Sequence, residues 1–375
     1  MNFIASFGAW FSTVAIYTMV VEFGSSEMAI AIVTAMHFIP AILIAPFSGA
    51  IIDRVKIKPL MVTLLFIELL MTACFLLISD SSQLWLLLIF IFIRMSAASM
   101  FFSSEMSLLA KIASGKELQT ANEIQSIIWS FTYAIGMAVS GFVVNIYGVK
   151  TAILIDVLIF ILAFLVFIQI KIDLEYKKVE EKIIELMLDG LRYIKNNKVI
   201  LHLIFLHSSV GLTSYDALIT ILAKNEYKEL IAVPLAIGLS NSVRAIALAI
   251  GPLILNKIVN KENLQYLLAF QGLTIIIWAF VQKDFYLSLM ALFFVGFSTA
   301  FLWSYTYALL QNRCEKRYIG RVISYNDMFF MLANVVTTLF IGFMAKFTST
   351  TMITVCLGIA FLLFAYYYIK ISKLI

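Results

Sequence analysis

Residues 28–58 read MAIAIVTAMHFIPAILIAPFSGAIIDRVKIK, a mostly apolar run over 28–52 that ends abruptly in a charged turn. A helix that crosses the hydrocarbon core of a bilayer needs about 20 such residues. Asp53 follows the run directly, and Arg54, Lys56 and Lys58 come next. The stretch therefore predicts a transmembrane helix that ends in a basic turn at the membrane surface.

The whole chain shares this apolar character. Of its 375 residues, 62% are hydrophobic and 13% are charged, against about 25% charged residues in an ordinary soluble domain. So few charges cannot cover the surface of a soluble protein, and so many apolar residues exclude a disordered chain. The net charge of +5 comes without the basic cluster that a phosphate backbone requires, so we expect no nucleic-acid partner.

Successive apolar runs predict an all-α membrane protein with twelve transmembrane helices. The runs are 3–22, 28–52, 60–79, 84–108, 119–146, 151–170, 199–223, 233–255, 264–281, 285–311, 319–345 and 349–369. The short breaks between them leave no room for a soluble catalytic domain. The longest break predicts three parts, an N-terminal six-helix bundle at 1–170, a linker at 171–198 and a C-terminal six-helix bundle at 199–375.

The linker is rich in Lys and Glu, and the apolar residues of 179–195 recur at helical spacing. This pattern predicts an amphipathic surface helix, the alternative being a partly ordered charged linker. Of the 27 Lys and Arg residues, 20 fall in segments on the side of the two termini and 5 on the other side. Because basic loops remain in the cytoplasm, we expect cytoplasmic termini and a multi-pass protein of the plasma membrane, the bacterial inner membrane.

The turn after the second span matches a known signature. Gly49, Asp53, Arg54 and Lys58 stand as in Gly-x-Leu-Ala-Asp-Arg-x-Gly-Arg-Lys, whereas position 56 is Lys and position 57 is Ile. In this turn the chain resembles the major facilitator superfamily. Further stretches along the whole chain resemble its macrolide-efflux and enterobactin-exporter branch, namely Ile93–Arg94, Leu154–Leu158, Asp189–Tyr193 and Tyr318–Val322.

The resemblance implies two six-helix bundles around a central cavity that opens to each side alternately. The first, fourth, seventh and tenth spans would line the cavity, and the second, fifth, eighth and eleventh would form the moving contacts. The turn would act as a gate against the start of the eleventh span. The expected gating residues are Gly49, Asp53, Arg54, Gly320 and Arg321, with Gly136 and Gly141 kept from the family's exchanger signature in the fifth span.

Six ionisable residues lie inside the predicted spans and are candidates for proton or substrate binding. They are Glu68, Arg94, Asp156, Asp216, Arg244 and Asp327. A helical rise of about 1.5 Å per residue places Arg94 level with Asp156 and within reach of Glu68, and Arg244 within about 5 Å of Asp327 in depth. Asp216 then has no basic partner at its depth in its own half.

Four acids face two bases, so two carboxylates would remain unpaired. An unpaired acid in a low-dielectric interior resists ionisation, as a proton-coupled transporter requires. We favour Asp216, because the seventh span should face the cavity. The alternative is a structural Asp that hydrogen-bonds Thr213, Ser214 or Tyr215. Structural roles are the alternative for Asp156 and Glu68 as well, and Arg94 could either contact substrate or anchor its bundle.

The tenth span carries Trp303, Tyr305 and Tyr307. An aromatic wall with a nearby acid suits a lipophilic, cationic compound, and the alternative is packing against lipid. The three His and three Cys residues lack the spacing of a metal site. No nucleotide-binding loop is present, so we expect no cofactor, with the proton motive force as the energy source.

These features predict a secondary active transporter, a monomer in the lipid bilayer. Its expected activity is proton-coupled efflux, by antiport and alternating access, of a small amphipathic or lipophilic compound resembling a drug or a siderophore. The alternative is an importer or facilitator of a small metabolite on the same fold. An intramembrane enzyme is a distant alternative, because no convergent set of nucleophile, base or metal ligands is visible.

Overall fold

The computed structural model describes residues 2–52, 54–112, 115–172, 183–315 and 317–374, and in these ranges the regular structure is entirely helical. Ten stretches in these ranges are long and apolar enough to cross a membrane. The predicted membrane protein of all-α class is thus confirmed, whereas a count of twelve spans is not. The difference arises at two places, in the helix 115–169 and in the segment 198–227.

The first half begins with α1 (Asn2–Glu22), α2 (Glu27–Ala35) and α3 (Ile39–Ile52). It continues with α4 (Ile57–Cys74), α5 (Leu84–Ile112) and α6 (Gly115–Gln169). The Ser26 hydroxyl caps α2 by accepting a hydrogen bond from the Ala29 amide at 3.3 Å. The turn between α2 and α3 precedes Pro40, which has no amide proton to continue a helix. The predicted second span is therefore built from two helices.

Helix α6 contains the predicted fifth and sixth spans. As a straight rod its 55 residues would be about 80 Å long, far more than the ~30 Å hydrocarbon core. Gly148 interrupts it with φ 80° and ψ 168°, a conformation that glycine adopts without strain. Gly136 and Asp156, on opposite sides of this break, both pack against residues 7–10 of α1. The chain therefore reverses direction at Gly148.

Helix α7 (Ile183–Asn196) lies in the predicted linker, and residues 173–182 before it are outside the described ranges. The second half contains α8 (Lys198–Ser208), α9 (Asp216–Leu222), α10 (Val233–Leu255), α11 (Leu264–Val281), α12 (Phe285–Arg313), α13 (Ile319–Met344) and α14 (Thr350–Ile371). Between α8 and α9 the chain forms a 3-10 segment, Ser209–Thr213, and a π-helical segment, Ala223–Tyr227, follows α9. The predicted seventh span is thus segmented and continues to Tyr227.

The two halves contact each other through α6 against α10 and through α2 and α3 against α13. Near Gly141 and Gly238 the backbones of α6 and α10 meet without side chains between them, and a Cβ on Gly141 would lie 2.7 Å from the Pro234 carbonyl oxygen. Both glycines lie near the end of the bundle opposite the two termini, which we call the distal end. Glycine at this crossing permits the close approach of the two halves.

Candidate functional site

The first half holds an ion pair in its interior. An Nη2 atom of Arg94 on α5 lies 3.4 Å from Oδ2 of Asp156 on α6, and both side chains are buried. Nη1 of Arg94 donates a 2.6 Å hydrogen bond to the Ser12 hydroxyl on α1, and the guanidinium lies over the Phe160 ring at 5.2 Å. These contacts tie together three helices of one half. Since a buried charge requires such partners, this arrangement suits a structural anchor.

Of the two acids within predicted reach of Arg94, the structure brings Asp156 into the pair. Glu68 on α4 is buried and close enough to interact electrostatically with Arg94 and Asp156. Oδ1 of Asp156 accepts no hydrogen bond from the described residues. It lies 2.5 Å from the position where a side chain on Gly8 would begin. The glycine therefore leaves the space that this carboxylate occupies.

A second charge cluster lies where the two halves meet. Oδ1 of Asp216, at the start of α9, is 3.8 Å from an Nη2 atom of Arg244 on α10. The same Nη2 atom donates a 2.9 Å hydrogen bond to the Tyr133 hydroxyl on α6, in the other half. That hydroxyl in turn donates to Oδ1 of Asn241 on α10 at 3.3 Å. We call Asp216, Arg244, Tyr133 and Asn241 the interface cluster.

The expectation that Asp216 lacks a basic partner is wrong. The seventh span continues through the π-helical segment to Tyr227, whereas the polar residues 224–226 suggested an earlier end. Asp216 lies eleven residues before Tyr227, and Arg244 lies eleven residues after Val233. Both are therefore about 16 Å from the distal turn that joins α9 to α10, and they meet at the same depth.

The predicted agreement in depth between Arg244 and Asp327 does not make them partners. Their depths agree, but depth does not fix lateral position, since α10 packs against α6 and α12 whereas α13 packs against α2, α3 and α8. Asp327 instead accepts a 3.4 Å hydrogen bond from the Asn326 amide. Within the described ranges, no Lys, Arg or His forms an ion pair with Asp327.

The three aromatic residues predicted to line the cavity divide between two faces of α12. Trp303 and Tyr307 stack with ring centroids 5.0 Å apart, whereas Tyr305 stacks on Phe301 at 5.3 Å. Positions four residues apart share a face of a helix and positions two apart do not. Sequence reasoning could have separated Tyr305 from the pair on this ground.

His207 on α8 completes the group around Trp303 and Tyr307. Its ring lies 5.8 Å from Trp303, 5.5 Å from Tyr307 and 5.4 Å from Phe330 on α13. We call His207, Trp303, Tyr307 and Phe330 the aromatic cluster. The sequence presented His207 only as a possible metal ligand. The aromatic residues of α12 and α13 are about 100 residues away in sequence, and nothing in the pattern indicated that they lie near it.

The expected gating residues lie in several environments. Gly49 lies near the end of α3, Arg54 is exposed in the following turn, and Asp53 lies outside the described residues. Gly136 packs on Trp10 within the first half, in contrast to Gly141 at the crossing of the two halves. These roles remain predictions.

The start of α13 contacts the linker helix. Arg321 forms a 2.6 Å ion pair with Asp189 on α7, and the Tyr193 and Tyr318 rings stack at 4.2 Å. A side chain on Gly190 would lie 2.9 Å from Cβ of Arg321, whereas one on Gly320 would meet nothing within 4 Å. The stretches 189–193 and 318–322, which are far apart in sequence, thus pack against each other.

A polar contact between the two halves at the distal end was not predicted. Nζ of Lys224, in the π-helical segment, lies 3.2 Å from Oε1 of Glu27 on α2 and donates a 2.7 Å hydrogen bond to the Ser25 carbonyl oxygen. The Asn225 amide lies 3.5 Å from the same Glu27 oxygen. Hydropathy places Lys224 and Asn225 in a loop, but they belong to the helical segment Ala223–Tyr227 and meet Glu27 from there. We call this contact the distal lock.

Metal chemistry has no support in the described part of the chain, where no group of three or more His, Cys, Asp or Glu could hold an ion. Cys74, Cys314 and Cys356 are free thiols.

Two helical halves, with buried charges in one and a charged contact between them, define a polytopic membrane protein. The chain belongs to the major facilitator superfamily, whose sequence profile matches residues 1–338. The family expected from the turn at 49–58 is thus confirmed. No curated protein matches the chain.

Solved transporter structures share the fold. The nucleoside transporter NupG is 13% identical with a TM-score of 0.72, covering 100% of this chain and 96% of its own. A POT family transporter in complex with 5-aminolevulinic acid is 10% identical with a TM-score of 0.77, covering 99% and 95%. A bacterial homologue of the human lysosomal transporter Spinster, in an inward-facing and occupied conformation, is 13% identical with a TM-score of 0.75, covering 99% and 94%. Membership of this family identifies a transporter and not an enzyme.

Proposed function

We propose that this chain is a proton-coupled exporter of a small amphipathic or lipophilic compound, drug-like or siderophore-like, in the bacterial inner membrane. It exchanges substrate for protons by alternating access and uses the proton motive force without a cofactor. The chain crosses the membrane twelve times, with α6 counted twice and 198–227 counted once. Both termini lie in the cytoplasm, which the excess of basic residues on their side supports.

The interface cluster is the observation that supports this proposal. Arg244 contacts an acid of its own half and a hydroxyl of the other half through one Nη2 atom. At 3.8 Å the ion pair is loose, and Oδ1 of Asp216 and Nη1 of Arg244 lack hydrogen-bond partners among the described residues. The two side chains are 15% and 13% exposed, although these two atoms themselves are buried. The loose pairing makes Asp216 the acid to which the proposal assigns proton coupling.

Protonation of Asp216 would remove the negative charge opposite Arg244. The guanidinium would then depend more on Tyr133, across the interface, for its stabilisation. A ligand, here the proton, shifts a conformational equilibrium by the difference between its affinities for the two states. The interface cluster supplies such a difference in affinity. Arg244 contacts Asp216 and Tyr133, and only the contact with Asp216 depends on the charge of that acid.

The contacts between the halves suggest which state the structure represents. Gly141 against α10, Gly342 against Ala31 of α2, and the distal lock all lie near the distal end. We propose that the distal, periplasmic side is closed in this conformation. An exporter loads its substrate from the cytoplasm in such a state.

The test uses purified protein reconstituted in proteoliposomes with an acidic interior. Ethidium serves as a lipophilic cationic substrate and pyranine in the lumen reports internal pH. We expect ethidium to accumulate in the lumen while the lumen becomes more alkaline, because each transport cycle carries protons out of it. Asp216→Asn should abolish the gradient-driven component, since the amide cannot exchange a proton.

Asp80→Asn is the matched control, because Asp80 is an exposed residue that caps a turn and Asn caps equally well. It should transport as the wild type does. Ethidium transport that does not depend on the pH gradient would indicate a facilitator. Gradient-driven transport that is equal in Asp216→Asn and wild type would remove Asp216 from the coupling role.

A further inference from the structure

The buried histidine of the aromatic cluster has an unused hydrogen-bonding atom. His207 is 0% exposed, and its Nδ1 atom lies 2.8 Å from the Thr306 hydroxyl oxygen. Its Nε2 atom is buried and has no hydrogen-bond partner among the described residues. Buried polar atoms are nearly always paired, so an exception requires an explanation.

The hydrogen bonds of Thr306 fix the tautomer of this histidine. The Thr306 hydroxyl lies 2.6 Å from the Leu302 carbonyl oxygen, which can only accept, so the hydroxyl proton points there. The hydroxyl oxygen therefore accepts from His207, and Nδ1 carries the proton. In a neutral imidazole the other nitrogen is then an acceptor. Nε2 thus presents a lone pair that suits an N–H or O–H donor.

Aromatic rings from two further helices surround this acceptor. Trp303 and Tyr307 form a stacked pair on α12, and Phe330 approaches from α13 at 5.4 Å. Trp303 is 39% exposed, so its indole is the accessible member of the group, whereas Nε2 of His207 is covered. Faces of Trp and Tyr attract cations, and stacked pairs accept a further planar ring.

A negative charge lies beside these rings. Asp327 is three residues before Phe330, on the same face of α13, and interacts electrostatically with Tyr307. It forms no ion pair within the described ranges. His207, Trp303 and Asp327 lie about 12 to 15 Å from the end of the bundle that holds the termini, by the rise of their helices. Acceptor, rings and anion therefore share one depth near the middle of the membrane.

We propose that the aromatic cluster and Asp327 form a binding pocket for a protonated amine that carries an aromatic ring. The ring packs against Trp303 and Tyr307, and Asp327 balances the positive charge. An N–H of the ammonium group donates to Nε2 of His207. The pocket gives a substrate class to the proposed transporter, and so it rests on the proposed function.

Binding without any gradient tests the pocket separately from transport. The ligands are 1-naphthylmethylamine, its N,N,N-trimethyl counterpart and 1-naphthylacetate, titrated by calorimetry into the protein in nanodiscs, with empty nanodiscs subtracted. The wild type should bind the primary amine about tenfold more tightly than the trimethyl ion, which has no N–H to donate. It should bind the acetate most weakly.

Variants assign these preferences to residues. His207→Phe keeps the ring and removes the acceptor, and should weaken primary-amine binding about tenfold while leaving trimethyl-ion binding unchanged. Asp327→Asn should weaken the binding of both cations. His202→Phe is the matched control, because His202 lies on the same helix and its Nδ1 atom bonds the Tyr367 hydroxyl elsewhere.

Equal wild-type affinity for the primary amine and the trimethyl ion would overturn the assignment of His207, even if the His207 variant did not fold. Equal effects of His207→Phe and His202→Phe would overturn it as well. Binding of the acetate at the level of the amine, or of no ligand at all, would reject the pocket. Selective binding together with gradient-independent transport would uphold the pocket and reject proton coupling.

Discussion

The distal lock offers the sharpest test of how the two halves separate. Lys224→Met removes the ammonium group that contacts Glu27 and the Ser25 carbonyl oxygen, and it keeps an unbranched side chain of similar length. Lys224 and Glu27 are only 22% and 26% exposed, so water replaces these contacts incompletely. The variant should therefore destabilise the distally closed state relative to the open one.

The size of this effect follows from the two contacts. A hydrogen bond from a charged donor contributes about 1.5–3 kcal/mol, and a partly exposed ion pair adds at most about 1 kcal/mol. Because solvation of the freed Glu27 offsets part of the loss, we expect about 2 kcal/mol. That corresponds to a shift of roughly 30-fold in the ratio of open to closed molecules, within the range found for conformational coupling.

Spin labels at Ser81 and Glu229, exposed positions at the distal ends of the two halves, measure this ratio by double electron–electron resonance. The free cysteines Cys74, Cys314 and Cys356 are first replaced with Ser. Lys224→Met should populate a longer distance that Lys228→Met, an exposed control one turn away, does not. Indistinguishable distributions for the two variants would refute the lock, and so would a shift toward shorter distances in Lys224→Met.

Two further sites, Arg94 and Gly141, probe the packing within the first half and at the crossing of the two halves. Arg94→Met should cost about 3–5 kcal/mol by leaving Asp156 charged and unpaired in the interior, and Arg94→Lys should cost less. Thermal unfolding in detergent measures both, and equal losses would contradict the ion pair. Gly141→Ala should populate the distally open state, because its methyl group meets the backbone of α10. Val139→Ile, on an exposed face of the same helix, is its control in the spin-label assay, and an unchanged distribution for Gly141→Ala would count against close packing there.

Much of the fold could be predicted from the sequence, because each apolar run only has to be long enough to cross the bilayer. Depth along a helix was equally accessible, and it sufficed for Arg94 and Asp156, which lie in regular helices. It failed for Asp216, because Lys224, Asn225 and Glu226 look like a loop and yet continue a helix. Polar residues that pair with the other half can remain helical, and hydropathy alone does not reveal that partner.

Lateral position was the other limit. Arg244 and Asp327 share a depth, but they lie on helices that pack against different neighbours. His207 illustrates the same point, since its partners on α12 and α13 are about 100 residues away in sequence. Contacts of this kind depend on how helices are arranged around one another, which a single sequence specifies only through the packing of many side chains at once.

The intramembrane acids outnumber the bases by four to two, but this count is a weaker guide to the energy source than the contacts of the two arginines. Arg94 is buried within one half and contacts Asp156, Ser12 and two aromatic rings, so it gains nothing when the halves move. Arg244 is partly exposed, loosely paired and bonded across the interface, so every relative motion of the halves changes its contacts. Two residues of the same type thus differ in whether their contacts cross the boundary between the two halves. In the proposed mechanism, protonation changes the contact between the halves only through Arg244. The acid beside Arg244 is Asp216, and it is therefore the first candidate for the coupling residue.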